Sequence, residues 1–425
     1  MRFDKEHSML QSRCLLQFPL LAVLFALISL PDLAASETDV HQVLMIRVDF
    51  PNHQGAPLSE AQASQLVADS DQFMRNNSNN VRGLNPTVTT VVRLPQNTSY
   101  YNDGTGVRIR NDSYPLLTAA GYNVLDYNIL VYCYSGVSGS WNGLSGSNWV
   151  MLRGSNGMRH HVLSHEIGHV YTLGHANRWR VVDGNPVQEG NPSTMSVEYG
   201  NAFDTMGGGS SMAHHFNASF KHRIGWIADS DAPTITNSGT YRIYAHDHRD
   251  ATGLRALRIS RGTPEAWEFE YIFWIEYRAG INDTLRNGAV VSWQRKPWPG
   301  MAVLGGFANY LLDMTPETST FNDHPLAVGK TFRDDQGGFS FTVLRRIEGE
   351  RPALDVQVVF DHDPLNGRQI QLHVLDAHGQ SLLNWSPVLS PDHGTANDSN
   401  GLWLFQGLEP ETEYLITFTD LDSNT

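Results

Sequence analysis

Short runs of apolar residues alternate with polar segments along this chain, and the kind of run changes near residue 229. Before that point, β-branched apolar runs predict strands, and apolar residues at helical spacing predict helices. The predicted strands are Val43–Phe50, Thr87–Leu94, Asn128–Tyr134 and Trp149–Leu152, and the predicted helices are Ser59–Met74, a segment that starts near Met158, and Phe216–Arg223. This mixture predicts an α+β domain with a sheet above the helix that starts near Met158.

Beyond residue 229 the helical patterns disappear. The predicted strands are Tyr241–Ala245, Leu254–Ser260, Phe269–Tyr277, Ala289–Trp293, Tyr310–Met314, Phe339–Leu344 and Leu354–Phe360. Turn residues separate them, which predicts a β-sandwich-like region that ends near Asp361. The last segment, 366–425, has the pattern of a separate small β module, and its string Gly407–Tyr414 resembles a turn-and-strand of fibronectin type III domains.

The first 36 residues have the pattern of a secretory signal. Arg2 and Lys5 precede a mostly apolar run, Leu15–Leu30, which Pro31 ends, and small residues follow up to Ser36. The run is short for a membrane span, which needs about 20 residues, so a cleaved signal is favoured over an anchor. We therefore expect four segments (1–36 signal peptide, 37–228 α+β domain, 229–362 β-sandwich-like domain, 366–425 β module). The mature chain is expected to be secreted or periplasmic, without an integral membrane segment.

Composition narrows the possible partners. The formal net charge is −14, which argues against nucleic acid and anionic membranes as partners. The two cysteines are Cys14, which lies in the predicted signal, and Cys133, which lies in an apolar run that predicts a buried strand. The mature chain therefore has no intramolecular disulfide, and about 390 residues are enough to bury a large core. We expect it to be a monomer.

The most informative stretch is His-Glu-Ile-Gly-His-Val-Tyr-Thr-Leu-Gly-His, residues 165–175. His165 and His169 are four apart, so on a helix both imidazoles leave one face and can bind one Zn²⁺. His175 offers a third nitrogen once the helix ends, and Gly174 is expected to supply the positive φ of the turn. Three neutral imidazoles leave one tetrahedral position open, as in catalytic zinc sites.

The glutamate of the motif, Glu166, indicates a catalytic zinc site rather than a site that stores zinc. Its side chain cannot reach the same metal position as its neighbours, but it can reach a water held there. Zinc lowers the pKa of such a water toward about 7, and a carboxylate beside it can accept the proton. A glutamate in this position is hard to explain in a purely structural zinc site.

The motif, with Met206 about thirty residues after His175, resembles the metzincin zinc peptidases. The strings Asp-Thr-Met-Gly-Gly at 204–208 and His-Phe-Asn-Ala-Ser-Phe-Lys-His-Arg-Ile-Gly-Trp at 215–226 are similar to the gametolysin family and to the immune-inhibitor-A-like peptidases. Weaker similarity continues through 274–278 and 311–316, so the resemblance spans roughly 41–360.

The resemblance implies a zinc endopeptidase that cleaves extracellular proteins or peptides. It implies His165, His169 and His175 as the zinc ligands, Glu166 as the general base and Met206 as the methionine of a Met-turn beneath the zinc. Two positions depart from the family pattern. Metzincins usually carry glycine three residues after the second histidine, and this chain has Thr172 there. Some members carry tyrosine two residues after the methionine, and this chain has Gly208 there.

Two other interpretations stay open. A thermolysin-like site would use a glutamate about twenty residues after the second histidine, and Glu189 lies at that distance, in a loop rich in glycine and proline. The chain could instead be a non-catalytic adhesin on a peptidase scaffold. The pairs His160-His161 and His214-His215 cannot converge on one metal, because adjacent side chains diverge, so they are expected to be polar decoration.

Overall fold

The structure, a computed structural model, describes residues 39–55, 57–249, 252–262, 270–296, 307–318 and 320–361. Beyond these it describes the backbone of five short strands between residues 370 and 420. Three parts of the chain lie outside the described residues. They are the predicted signal peptide, the string 407–414, and residues 362–369 before the terminal strands. No helix in the described part of the chain combines the length and the hydrophobicity that a membrane span requires.

A five-stranded sheet forms the first half of the molecule. Its strands are β1 (Asp39–Asp49), β2 (Arg82–Arg93), β3 (Ile129–Tyr134), β4 (Gly143–Ser145) and β5 (Trp149–Arg153). Their order is β2-β1-β3-β5-β4, with every neighbour parallel except β4, which pairs antiparallel with β5 at the edge. Alternate residues of β1 enter two different cores, Val43 on one face and Leu44 on the other, because helices cover both faces.

The helices of this half are α1 (Glu60–Ser78), α2 (Val107–Ala119), α3 (Gly154–Gly157) and α4 (His160–Val170), with single 3₁₀ turns at Thr98–Tyr101 and Val124–Asp126. Helix α1 begins in a capping box, in which Ser59 and Gln62 bond each other's backbone N–H. Leu66 of α1 and Ile167 of α4 pack on the same face of the sheet, whereas Ile109 of α2 packs on the other. Helix α2 is absent from the sequence prediction.

The second half is rich in strands. The strands are β6 (Leu173–Trp179), β7 (Ser196–Val197), β8 (Gly239–Tyr244), β9 (Ala256–Ser260), β10 (Glu270–Glu276), β11 (Gly288–Lys296), β12 (Phe307–Leu311), β13 (Leu326–Ala327), β14 (Thr331–Asp334), β15 (Phe339–Ile347) and β16 (Ala353–Phe360). The short helices are α5 (Pro192–Met195), α6 (Ala218–Arg223) and α7 (Asp283–Arg286). An α+β layout followed by a β-rich part is what the sequence predicted.

Two sheets of this half enclose one apolar core. The larger has the order β7-β6-β12-β11-β10-β9, with β13 paired to β11, and the smaller has the order β14-β15-β16-β8. Trp179, Trp293 and Phe339 belong to the same core cluster, which therefore joins residues of both sheets. The five remaining strands, β17 (Ile370–His373), β18 (Trp385–Ser390), β19 (Thr395–Asn397), β20 (Leu402–Phe405) and β21 (Leu415–Asp420), form two small sheets, β17-β20-β19 and β18-β21.

One strand connects the two halves. Strand β6 directly follows the histidine helix in the sequence, yet it pairs parallel with β12 and antiparallel with β7 in the larger sheet of the second half. The sequence prediction assigned no strand to this region and placed a domain boundary at residue 228. The hydrogen bonding of β6 crosses that boundary, because its partner β12 lies more than 120 residues later.

Candidate metal centre

Helix α4 positions the first two histidines. Its apolar residues Leu163 and Ile167 are fully buried in the core beneath the sheet, which fixes the rotation of the helix. His165 and His169 then lie together on its other side, with ring centroids 4.8 Å apart. Gly168 lies on the face of helix α4 that packs against Met206, and a Cβ atom there would come within 2.2 Å of the methionine sulfur. The glycine of the motif is therefore needed for close packing rather than for an unusual backbone angle.

The turn after α4 corrects the sequence prediction. The helix ends at Val170, and the residue in the left-handed region is Thr172, with φ 69°, instead of the predicted Gly174. Gly174 is not among the described residues with positive φ, and it lies within β6. The turn therefore falls at Thr172, the position noted above as a departure from the metzincin pattern, and a β-branched residue adopts the strained angle.

Strand β6 brings the third histidine back to the helix. The ring centroid of His175 lies 4.9 Å from that of His169 and 5.5 Å from that of His165. One ring nitrogen from each of the three half-buried imidazoles lies within 4.8 Å of the others. Tetrahedral coordination at a Zn–N distance of about 2.05 Å needs nitrogens about 3.3 Å apart, so small side-chain movements suffice to enclose an ion.

The second nitrogen of every imidazole in the triad is engaged. Nδ1 of His165 donates to the Thr205 carbonyl at 2.8 Å, and Nδ1 of His169 donates to the Leu173 carbonyl at 2.8 Å. Nδ1 of His175 lies 2.9 Å from Oε1 of Glu198. These acceptors fix the proton on Nδ1 and leave the Nε2 lone pair free, which is the arrangement found around metal-binding histidines.

Burial favours the neutral form of His165 and His169. Burial, together with the neighbouring His169 and His175, lowers the pKa of His165 to about 3, while the bond to Thr205 opposes the shift. Burial also lowers the pKa of His169. Neutral imidazole is the form that binds a transition metal, so the donor set fits zinc.

Met206 is fully buried in a tight turn that packs against Gly168 of helix α4. Asp204 holds this turn, since its carboxylate accepts from the backbone N–H of Met206 at 2.7 Å and from the backbone N–H of Asn217 at 2.7 Å. Burial raises the pKa of Asp204 to about 6, against the lowering effect of Arg278 and of these hydrogen bonds. The same turn supplies the Thr205 carbonyl to His165, so it orients a member of the triad as well as filling space.

Glu166 lies beside the edge strand of the first sheet. It is 6% exposed, and its Oε2 accepts a hydrogen bond from the Ser145 hydroxyl at 2.6 Å. A Cβ atom on Gly143 would come within 2.3 Å of Oε1, so only glycine leaves room for the carboxylate. Burial raises the pKa of Glu166 to about 7, and the Ser145 hydrogen bond partly opposes the rise.

Two residues of this site escaped the sequence analysis. Glu198, which binds His175, and Tyr199, whose ring lies 4.0 Å from the His175 ring, both follow β7. Burial raises the pKa of the Tyr199 phenol, and the charges of Glu198 and Glu166 add to the rise. No spacing rule pointed to them, since the pairing of β7 with β6 is what brings them to the triad.

Glu189 and the two histidine pairs singled out from the sequence do not join the triad. The Glu189 carboxylate binds Arg261 and Gln336 and is not part of the triad. The rings of His160 and His161 pack edge to face on each other. His214 accepts the backbone N–H groups of Ser210 and Ser211 through Nδ1, and His215 is buried against Lys221. Among the described residues, the triad is the one group of three or more His, Cys, Asp or Glu residues whose ligand atoms converge.

A scan against models of protein families and a search of curated proteins each find no match to this chain.

Proposed function

We propose that this chain is a zinc-dependent endopeptidase, resembling the metzincins, that acts on proteins or peptides outside the cytoplasm. The observation that carries the proposal is the triad of His165, His169 and His175, each with Nδ1 engaged and Nε2 free, beside a buried carboxylate on the same helix. A zinc ion in such a site supplies a water of lowered pKa and polarises the substrate carbonyl.

Glu166 is the general base and acid. Its raised pKa, about 7, matches a group that accepts a proton from the attacking water and returns it to the leaving amine near neutral pH. The Ser145 hydrogen bond fixes one oxygen of the carboxylate and leaves the other for the water. The buried surroundings strengthen this interaction, because little bulk water screens it.

Strand β4 offers a way to hold the substrate. It pairs with β5 along one side, and no described strand pairs with its other side. An extended peptide can add to such an edge through backbone hydrogen bonds, which recognise any sequence in the same way. Ser145 lies on this strand and contacts Glu166, so a peptide bound there runs past the general base.

The test combines metal analysis with digestion of casein. We expect one zinc per chain and cleavage that a chelator abolishes and added zinc restores. Glu166→Gln should keep the zinc and lose at least about 10²–10⁴ in rate, since it removes the general base. Glu317→Gln, at an exposed site, is the matched control and should behave as wild type. A zinc-loaded wild-type protein that cleaves nothing would instead favour the adhesin interpretation.

A further inference from the structure

Tyr199 forms an exposed aromatic wall of the metal centre. Its ring lies 4.0 Å from the His175 ring at an interplanar angle of 39°, and 5.9 Å from the His165 ring at 33°. It packs against two of the three imidazoles and is still 45% exposed. A large aromatic side chain that contacts the ligands while facing solvent borders the space through which a substrate must reach the metal.

The backbone holds Tyr199 in a conformation that its side chain disfavours. Its φ is 57°, in the left-handed region, which costs a non-glycine residue on the order of 1 kcal/mol. The Asn177 side chain on β6 accepts the Tyr199 N–H at 3.0 Å, and the Gly200 N–H closes a turn onto Val197 at 3.0 Å. Strain that neighbouring contacts maintain is concentrated at functional sites.

Glu198, the residue before Tyr199, also contacts the metal centre. Glu198 bonds the outer nitrogen of His175 while Tyr199 covers the ring face, so two adjacent residues surround one imidazole. Glu198 already supplies the orientation that a metal ligand requires. The Tyr199 phenol is thus not needed to orient His175.

We propose that Tyr199 is a catalytic residue whose phenol O–H donates a hydrogen bond to the substrate carbonyl oxygen as that oxygen gains negative charge. This inference rests on the proposed peptidase function. A fixed donor aimed at developing charge stabilises the transition state more than the ground state, so it raises kcat and leaves KM nearly unchanged. The phenol is neutral when it donates, so no proton transfer is required of it.

The experiment compares wild type with Tyr199→Phe, which removes only the hydroxyl. Tyr114→Phe is the matched control, because Tyr114 is similarly exposed, at 40%, on helix α2. The measurements are bound zinc under chelator competition, kcat and KM on a fluorogenic peptide, and the affinities for a phosphinic peptide and for a product-like peptide. The phosphinic group imitates the tetrahedral, negatively charged transition state.

We expect Tyr199→Phe to keep its zinc and its KM and to lose on the order of 10² in kcat. Its affinity for the phosphinic peptide should fall on the order of 10², with an unchanged affinity for the product-like peptide. A variant that sheds zinc shows a structural role, and one with wild-type kcat and phosphinic affinity shows none; either result overturns the inference. If zinc-loaded wild type neither cleaves peptides nor binds the phosphinic peptide, the proposed function fails and this inference fails with it.

Discussion

Glu198 is the residue whose contribution to the proposed metal centre can be measured most directly. Its Oε1 lies 2.9 Å from Nδ1 of His175, and among the described residues it is the one carboxylate hydrogen-bonded to a histidine of the triad. Partners of this kind typically change metal affinity by about 10–100-fold, because they fix the ring and raise its basicity. We expect Glu198→Gln to lower zinc affinity within that range, as measured by competition with a chromogenic chelator.

Glu189→Gln is the control for that measurement and also tests the thermolysin-like alternative. Glu189 bonds Arg261 and Gln336, so its substitution should leave zinc affinity unchanged. If Glu189→Gln loses zinc while Glu198→Gln keeps it, the three-histidine site is wrong.

Thr172 identifies a strained position that can be relieved. A β-branched side chain at φ 69° costs about 1–2 kcal/mol relative to a residue that tolerates the left-handed region, and glycine is that residue. Thr172→Gly should therefore raise the free energy of unfolding by about 1 kcal/mol, after the loss of chain entropy, with zinc affinity retained. Urea denaturation measures it.

Substitution by glycine should lower the free energy of unfolding at a threonine in ordinary helical geometry, and this provides the control for Thr172→Gly. Thr118 lies exposed in the last turn of α2, where glycine costs about 0.5–1 kcal/mol. Destabilisation by Thr172→Gly similar to that of Thr118→Gly would show that Thr172 is not strained.

At the level of elements, the histidine helix was predictable and its surroundings were not. The i, i+4 spacing of His165 and His169 and the apolar face of α4 are local properties, so the sequence carries them. Strand β6 is stabilised by pairing with β12, which no local pattern reveals. The positive φ was assigned to Gly174 because it is the only glycine that closely follows α4, whereas the structure places Thr172 in the left-handed region.

Two further elements were missed for identifiable reasons. Helix α2 buries only a narrow stripe, Ile109, Ser113 and Leu117, and contains Pro115, so its apolar periodicity is weak. Strand β4 has three residues, one of them Gly143, and lacks a strand pattern. Yet β4 contacts the proposed general base, so a strand that the sequence pattern does not reveal lies next to the proposed chemistry.

The fit between β4 and α4 gives a prediction. A methyl group on Gly143 would lie 2.3 Å from Oε1 of Glu166, so Gly143→Ala must displace either the strand or the carboxylate. We expect a folded protein that keeps its zinc and loses at least about 10-fold in kcat/KM, since a small misplacement of a general base is costly.

Gly239→Ala on β8 is the matched control for Gly143→Ala. There a Cβ atom meets Tyr241 at 3.4 Å, an ordinary contact, so activity should not change. Wild-type kcat/KM for Gly143→Ala would show that the carboxylate does not need its observed position.

At the scale of the whole molecule, the metal centre depends on both halves. His165 and His169 lie on a helix that packs beneath the first sheet, whereas His175 lies on a strand of the larger sheet in the second half. The core shared by Trp179 and Trp293 joins the sequence before and after residue 229. The predicted boundary at 228 therefore separates residues that fold together, although patterns on either side of it differ.

Two truncations distinguish the parts of the chain that the centre requires. Ending the chain at Asp229 removes β12, the parallel partner of β6, together with most of the core around Trp179, so we expect insoluble protein or lost zinc.

Ending the chain at Asp361 breaks no strand pairing that the structure describes, because β17–β21 pair only with one another. That shorter protein should stay soluble, bind zinc and hydrolyse small peptides at the wild-type rate per bound zinc, with any loss confined to large or insoluble substrates. If it is folded and zinc-loaded but inactive on small peptides, the terminal segment takes part in catalysis and is not an accessory module.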